Sequence, residues 1–164
     1  MTEGVIFDLE GTLVRLPIDY EALHSEIKRE LHLTKVRPLT ETVKILDKKS
    51  RDKLYKLWER AEMQALPNSK SNEEGMELLR KHSNKPIALV TMQGRTVVKK
   101  ILNYYHLPFR ITITREDTID RRAQIEKAIC NLNLEPKNVL VIGDRKSDQI
   151  SAKLAGCEFV MVRT

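Results

Sequence analysis

Four short apolar runs in this chain stop abruptly on polar residues. Val5-Ile6-Phe7 leads into Asp8, the run 87–90 into Thr91, the run 111–113 into Thr114, and the run 139–142 into Gly143 and Asp144. A fifth run, 158–162, lies near the end of the chain. Runs of this length, rich in Val and Ile and apolar on both faces, suit strands buried on both sides of a parallel sheet. Helical spacing fills the intervals between the later runs. Val97, Val98, Ile101, Leu102 and Tyr105 share a face over 94–106, and Ile125, Ala128, Ile129 and Leu132 share one over 120–132, with Asp120 as N-cap. Over 147–155, Ile150 and Leu154 mark a face, and Gly156 supplies a helix stop. Strand alternating with helix predicts an α/β fold, a Rossmann-like doubly wound parallel sheet.

One interval breaks the alternation. Between Val14 and Glu73 lie about 60 residues with no strand-like run. Tyr20, Leu23, Ile27 and Leu31 mark one amphipathic helix with Asp19 ahead of it; Leu54, Leu57, Trp58 and Ala61 mark another. "VRPLT" and "LPNSKSN" read as breaks. The expected organisation is a core of residues 1–14 and 73–164, with a small α-helical insertion over 15–72.

The 164 residues, 41% hydrophobic and 32% charged, suit one domain with a substantial core. A net charge of +6 favours anionic partners. The bases are dispersed, however, and an aromatic content of 5% leaves little to stack on nucleotides, so nucleic-acid binding is a subordinate expectation. Cys130 and Cys157 form no metal or disulfide pattern and read as buried free thiols. No signal-like or membrane-length apolar segment is evident, and a cytoplasmic location is expected. The oligomeric state is left open.

In a parallel sheet, ligands bind beyond the carboxyl ends of the strands. Asp8 and Glu10 follow the first run, Thr91 the second, and Asp144 and Asp148 the fourth. Carboxylates brought together at those ends repel unless a cation sits between them, and an oxygen-rich, acidic site suits Mg²⁺.

These blocks, "DLEGT" at 8–12, "VT" at 90–91 and "GDRKSD" at 143–148, resemble in order and spacing the signature blocks of the haloacid dehalogenase-like superfamily, over almost the whole chain. The insertion takes the place of that superfamily's helical cap, and the architecture is similar to that of phosphoglycolate phosphatases. The resemblance implies a Mg²⁺-dependent phosphatase acting on a small phosphorylated metabolite. It casts Asp8 as the nucleophile that forms an aspartyl-phosphate, Glu10 as general acid and base, and Thr91 as a hydroxyl donor to phosphate. The metal set is Asp8, the backbone carbonyl of Glu10, Asp144 and Asp148. Backbone amides near Leu9 and Gly94 are candidate phosphate contacts, and Arg15 a candidate substrate contact. The family's charge-balancing lysine is replaced by an arginine of the pair Arg121-Arg122, with Arg122 aligning better and Arg121 as rival.

Glu10 departs from the family's usual second aspartate. It keeps the acid but adds one methylene, roughly 1.5 Å of reach. The enolase-phosphatase branch also carries Glu here, and retention of a carboxylate favours phosphate-ester hydrolysis over carbon–halogen cleavage. A fold that has lost turnover and serves as a binding scaffold is the alternative from another class. The histidines His24, His32, His82 and His106 show no metal-ligand pattern. Trp58, Tyr55 and Met63 are expected to pack the insertion, and "KLWER" to form a solvated face.

Overall fold

A computed structural model describes all 164 residues. The chain opens with β1 (Gly4–Asp8) and a two-residue β2 (Val14–Arg15), then enters three helices, α1 (Tyr20–Leu31), α2 (Leu39–Ile45) and α3 (Lys48–Ala65). It returns through β3 (Lys70–Ser71) and α4 (Glu73–Lys81), then alternates β4 (Ile87–Val90), α5 (Arg95–Tyr104), β5 (Ile111–Ile113) and α6 (Arg121–Leu132). It closes with β6 (Val139–Gly143), α7 (Lys146–Leu154) and β7 (Glu158–Met161).

The main sheet has five strands in the order β5-β4-β1-β6-β7, all paired in parallel. The alternation of side chains along β1 divides the core in two. Val5 and Phe7 pack with Leu79, Val98 and Ile101 from α4 and α5. Ile6 packs on the opposite face with Ile125, Ala128 and Ala152 from α6 and α7. With both faces covered, all five residues of β1 and of β6 are buried. After β5 the chain crosses to the far side of β1 to place β6, so strand order reverses beside β1. Such a reversal opens a crevice at the carboxyl ends of the strands.

The three helices after β1 hold a core of their own, built from Leu23, Ile27, Val43, Leu54, Leu57 and Trp58 among others. β2 and β3 pair antiparallel, so the chain leaves and re-enters the sheet region side by side. Sequence spacing misses both this ladder, which is too short to show a period, and α2. The break read at "VRPLT" falls between α1 and α2, and Pro38 is the N-cap of α2, where its fixed φ and missing N–H cost no helical hydrogen bond.

On α7 the expected apolar face is overturned. Ile150 and Leu154 are 51% and 58% exposed, and the buried face carries Asp148 and Ala152, because the helix turns its acidic side toward the strand ends. Cys130 is exposed rather than buried; Cys157 is buried, and that burial pushes its thiol up to about 11. No helix is long and apolar enough to cross a membrane.

Candidate active site

The carboxyl ends of β1, β4 and β6 bring Asp8, Thr91 and Asp144 to one place. Oxygens of Asp8, Asp144 and Asp148 lie within 4.8 Å of one another. Asp8 is 5% exposed and Asp148 3%. Burial pushes the Asp8 carboxyl well up, opposed by the Arg121 guanidinium and reinforced by Asp148 and Asp144. Three crowded carboxylates of this kind form an oxygen-only donor set that fits a hard divalent cation such as Mg²⁺.

The loop after β1 is shaped around this cluster. Gly11 has φ +83°, and a Cβ there would collide with the Asp144 carboxylate, so the turn requires glycine. Thr12 Oγ1 donates to Asp144 Oδ1 at 3.2 Å, and Asn72 Nδ2 donates to the Gly11 carbonyl at 3.1 Å. Asp148 accepts from the Arg145 amide at 3.1 Å, which fixes the first turn of α7 against the strand ends.

Of the two candidate arginines, Arg121 enters the site. Its guanidinium meets Asp8 Oδ1 at 3.1 Å and Asp148 Oδ1 at 3.1 Å, and it donates to Gln124 Oε1 at 2.9 Å. Arg122, preferred on alignment, lies on the exposed face of α6 and pairs with Glu126 at 3.5 Å. Helix geometry explains the correction. Arg121 shares its face with the buried Gln124, Ile125 and Ala128, at spacings of three, four and seven, whereas Arg122 shares the outer face with Glu126. Gln124 also donates to the Thr91 carbonyl at 2.8 Å, tying α6 to the end of β4.

Thr91 is buried, and its Oγ1 accepts the Gln93 amide at 3.0 Å, which leaves the hydroxyl proton free to be donated. Glu10 accepts from the Leu16 amide at 3.1 Å and faces Arg145 at 4.0 Å. Burial pushes its carboxyl upward, partly offset by the Leu16 N–H and Arg145. A carboxyl raised in this way holds a proton closer to neutrality, as a general acid must.

Two expectations are corrected. The Gly94 amide does not face the cavity: it donates to the buried Glu62 carboxylate, at 3.1 Å to Oε2. Arg15 lies exposed on β2 and is not among the residues lining the cavity. Sequence reasoning missed that carboxylate and its partner. Glu62 on α3 forms a fully buried pair with Arg115, at 2.6 and 3.0 Å, with the guanidinium 4.3 Å from the Trp58 ring centroid. Residues 53 apart in the chain leave no local signal of such a pair.

Above the carboxylates opens a cavity of about 480 Å³, walled on the far side by Tyr20, His24, Leu39, Lys44 and Trp58 from the inserted helices. A buried acidic floor, a guanidinium beside it and a walled pocket above thus meet at the carboxyl ends of the strands.

The model of the family described as haloacid dehalogenase-like hydrolase matches residues 5–162, and the chain belongs to that family. Among solved structures, a hydrolase from Pseudomonas syringae superposes with a TM-score of 0.76 at 19% identity, covering 96% of this chain and 82% of that one. A haloacid dehalogenase-like family protein from Streptococcus pneumoniae gives 0.70 at 17% identity, covering 98% and 84%. A predicted phosphoglycolate phosphatase from Haemophilus somnus gives 0.68 at 21% identity, covering 98% and 84%. These likenesses concern the fold. Sequence comparison with curated proteins finds no match.

Proposed function

We propose that this hydrolase is a Mg²⁺-dependent phosphatase that cleaves a small phosphomonoester through an aspartyl-phosphate on Asp8. The observation that carries the reading is the double engagement of Arg121 with Asp8 and Asp148 inside a three-carboxylate cluster. A nucleophilic carboxylate, a metal donor set and a fixed cation for the phosphoryl group occupy one buried floor.

Asp8, Asp144 and Asp148, with the Glu10 backbone carbonyl, would hold the metal. When bound, Mg²⁺ offsets the negative charge of carboxylates and phosphoryl oxygens so that one anion can approach another. A carboxylate oxygen of Asp8 attacks phosphorus, and the phosphorus–oxygen ester bond breaks. Glu10 gives its proton to the departing alkoxide. Thr91 donates its hydroxyl proton to a phosphoryl oxygen, and Arg121 balances the charge of Asp8 and phosphate. A water then attacks the phosphorus of the acylphosphate while Glu10 accepts its proton, releasing phosphate and restoring Asp8.

The test is hydrolysis of p-nitrophenyl phosphate by the wild type with Mg²⁺ and with excess chelator, beside Asp8→Asn. Activity is expected only with Mg²⁺, and Asp8→Asn is expected to lose at least about 10³-fold in kcat. Turnover in Asp8→Asn equal to wild type, or unaffected by chelation, would exclude the mechanism.

A further inference from the structure

Along the sequence the basic residues stand singly and in pairs, yet the fold gathers them. Residues 28–56 hold ten lysines and arginines against four acids, which is +6, the whole of the chain's net charge; elsewhere nineteen bases balance nineteen acids. This stretch runs from the end of α1, through α2, to the middle of α3. The contacts Lys53–Glu30 and Arg60–Glu26 set α1 and α3 antiparallel, so the end of α1 and the start of α3 meet at one end of the insertion. At the opposite end Pro17 and Asn68 come together beside the β2–β3 ladder.

Three of the four acids already have partners. Glu30 faces Lys53 at 3.6 Å, Glu41 faces Lys44 at 3.3 Å, and Asp47 caps α3 by accepting the Ser50 amide at 2.8 Å. Lys28, Lys35, Lys48, Lys49 and Lys56 are exposed and form no ion pair. Two of these stand where helix stability would not put them. Lys48 and Lys49 open α3, whose first turn has no acid, so both face the positive end of the helix dipole. Lys28 and Arg29, by contrast, lie in the last turn of α1, where a cation is favoured. Ile45, the last residue of α2, stands three residues before Lys48 and is 83% exposed.

A nucleic acid and an anionic bilayer would both meet the lysines. Only the bilayer also takes up Ile45, at the boundary between headgroups and acyl chains. The one Phe, Tyr or Trp of the stretch, Tyr55, has its ring 5.1 Å from the Arg115 guanidinium and is not free to stack on bases. No helix is long and apolar enough to cross a membrane, so the contact is with the bilayer surface.

We propose that this end of the helical insertion docks on an anionic lipid bilayer, its lysines against the headgroup phosphates and Ile45 inserted between them. The proposal does not depend on the phosphatase reading.

The experiment is co-sedimentation of the full chain with vesicles of phosphatidylcholine alone and of phosphatidylcholine and phosphatidylglycerol in a two-to-one ratio. Binding is expected to the anionic vesicles only, and to weaken several-fold from low to physiological salt as the surface potential is screened. Lys48→Glu/Lys49→Glu is expected to bind at least about tenfold more weakly, since one lysine near an anionic surface is worth about fivefold. Acids in the first turn of α3 suit the helix dipole, so this variant is expected to keep or raise its Tm, which separates lost binding from lost fold. Ile45→Ser is expected to weaken vesicle binding by about fivefold. Lys99→Glu/Lys100→Glu, on the exposed face of α5, changes the net charge equally and is expected to stay within about twofold of wild type at physiological salt. Equal binding to both vesicles, binding to neither, equal losses in the two lysine pairs, or vesicle binding unchanged by Ile45→Ser overturns the proposal. Retention of a single-stranded RNA, lost in Lys48→Glu/Lys49→Glu while anionic vesicles stay unbound, overturns it in favour of a nucleic-acid surface.

Discussion

Arg121 shows how much a single register decides. Its side chain is placed by Gln124 and spans two carboxylates, so its charge is fixed before any anion arrives. Arg121→Ala is expected to lower kcat/KM for p-nitrophenyl phosphate by about 10²–10³-fold. Arg122→Ala, which removes only an exposed pair with Glu126, is expected to stay close to wild type. Comparable losses in both variants would show that the α6 register described above does not govern catalysis. Arg121→Lys keeps the charge but not the fork, and should fall between the two. Asp8, Glu10, Thr91, Asp144 and Asp148 were legible in the sequence because each stands within a few residues of an apolar run that fixes its place. The choice between adjacent arginines was not, since it turns on about 100° of helical rotation.

At the scale of elements, the pair Glu62–Arg115 fastens α3 to the loop after β5. Glu62 also receives the Gly94 amide, and Arg115 lies over Trp58 and within 5.1 Å of the Tyr55 centroid. Both charged side chains are at most 1% exposed, so removal of either leaves its partner buried and unpaired. Glu62→Ala or Arg115→Ala is expected to lower unfolding stability in urea by about 3–5 kcal/mol. The double variant Glu62→Leu/Arg115→Met is expected to lose much less than the sum of the two. Additive losses would show that the two charges contribute independently. Here the sequence was opaque for a physical reason. "KLWER" has the look of a solvated face, but Leu57 and Trp58 within it are buried. Glu62, one turn beyond Trp58, is buried against a loop that only the tertiary fold brings near. The same applies to Ile150 and Leu154: helical spacing reveals that a face exists, not which face the sheet covers.

For the molecule as a whole, charge is distributed against the grain of its total. The chain carries +6 overall, yet the point where three strands end concentrates Asp8, Asp144 and Asp148 within 4.8 Å, with Arg121 as the one cation bonded to that cluster. Folding must hold these like charges together, and burial pushes the Asp8 carboxyl upward as a result. A ligand that binds only the folded chain stabilises it by about 2.7 kcal/mol at a concentration of 100 Kd. In a chain of this size that corresponds to a rise in Tm of about 5–10 °C. Mg²⁺ at saturation, with beryllium fluoride as a phosphoryl mimic, is therefore expected to raise Tm by about that amount at neutral pH. Asp144→Asn is expected to lose most of the rise, because it removes one charged ligand while leaving the fold-determining strands intact. Screening by salt also relieves repulsion between carboxylates, so NaCl at matched ionic strength is the necessary comparison. A rise reproduced by NaCl, or retained in full by Asp144→Asn, would mean that the cluster stabilises the fold through screening and holds no specific cation.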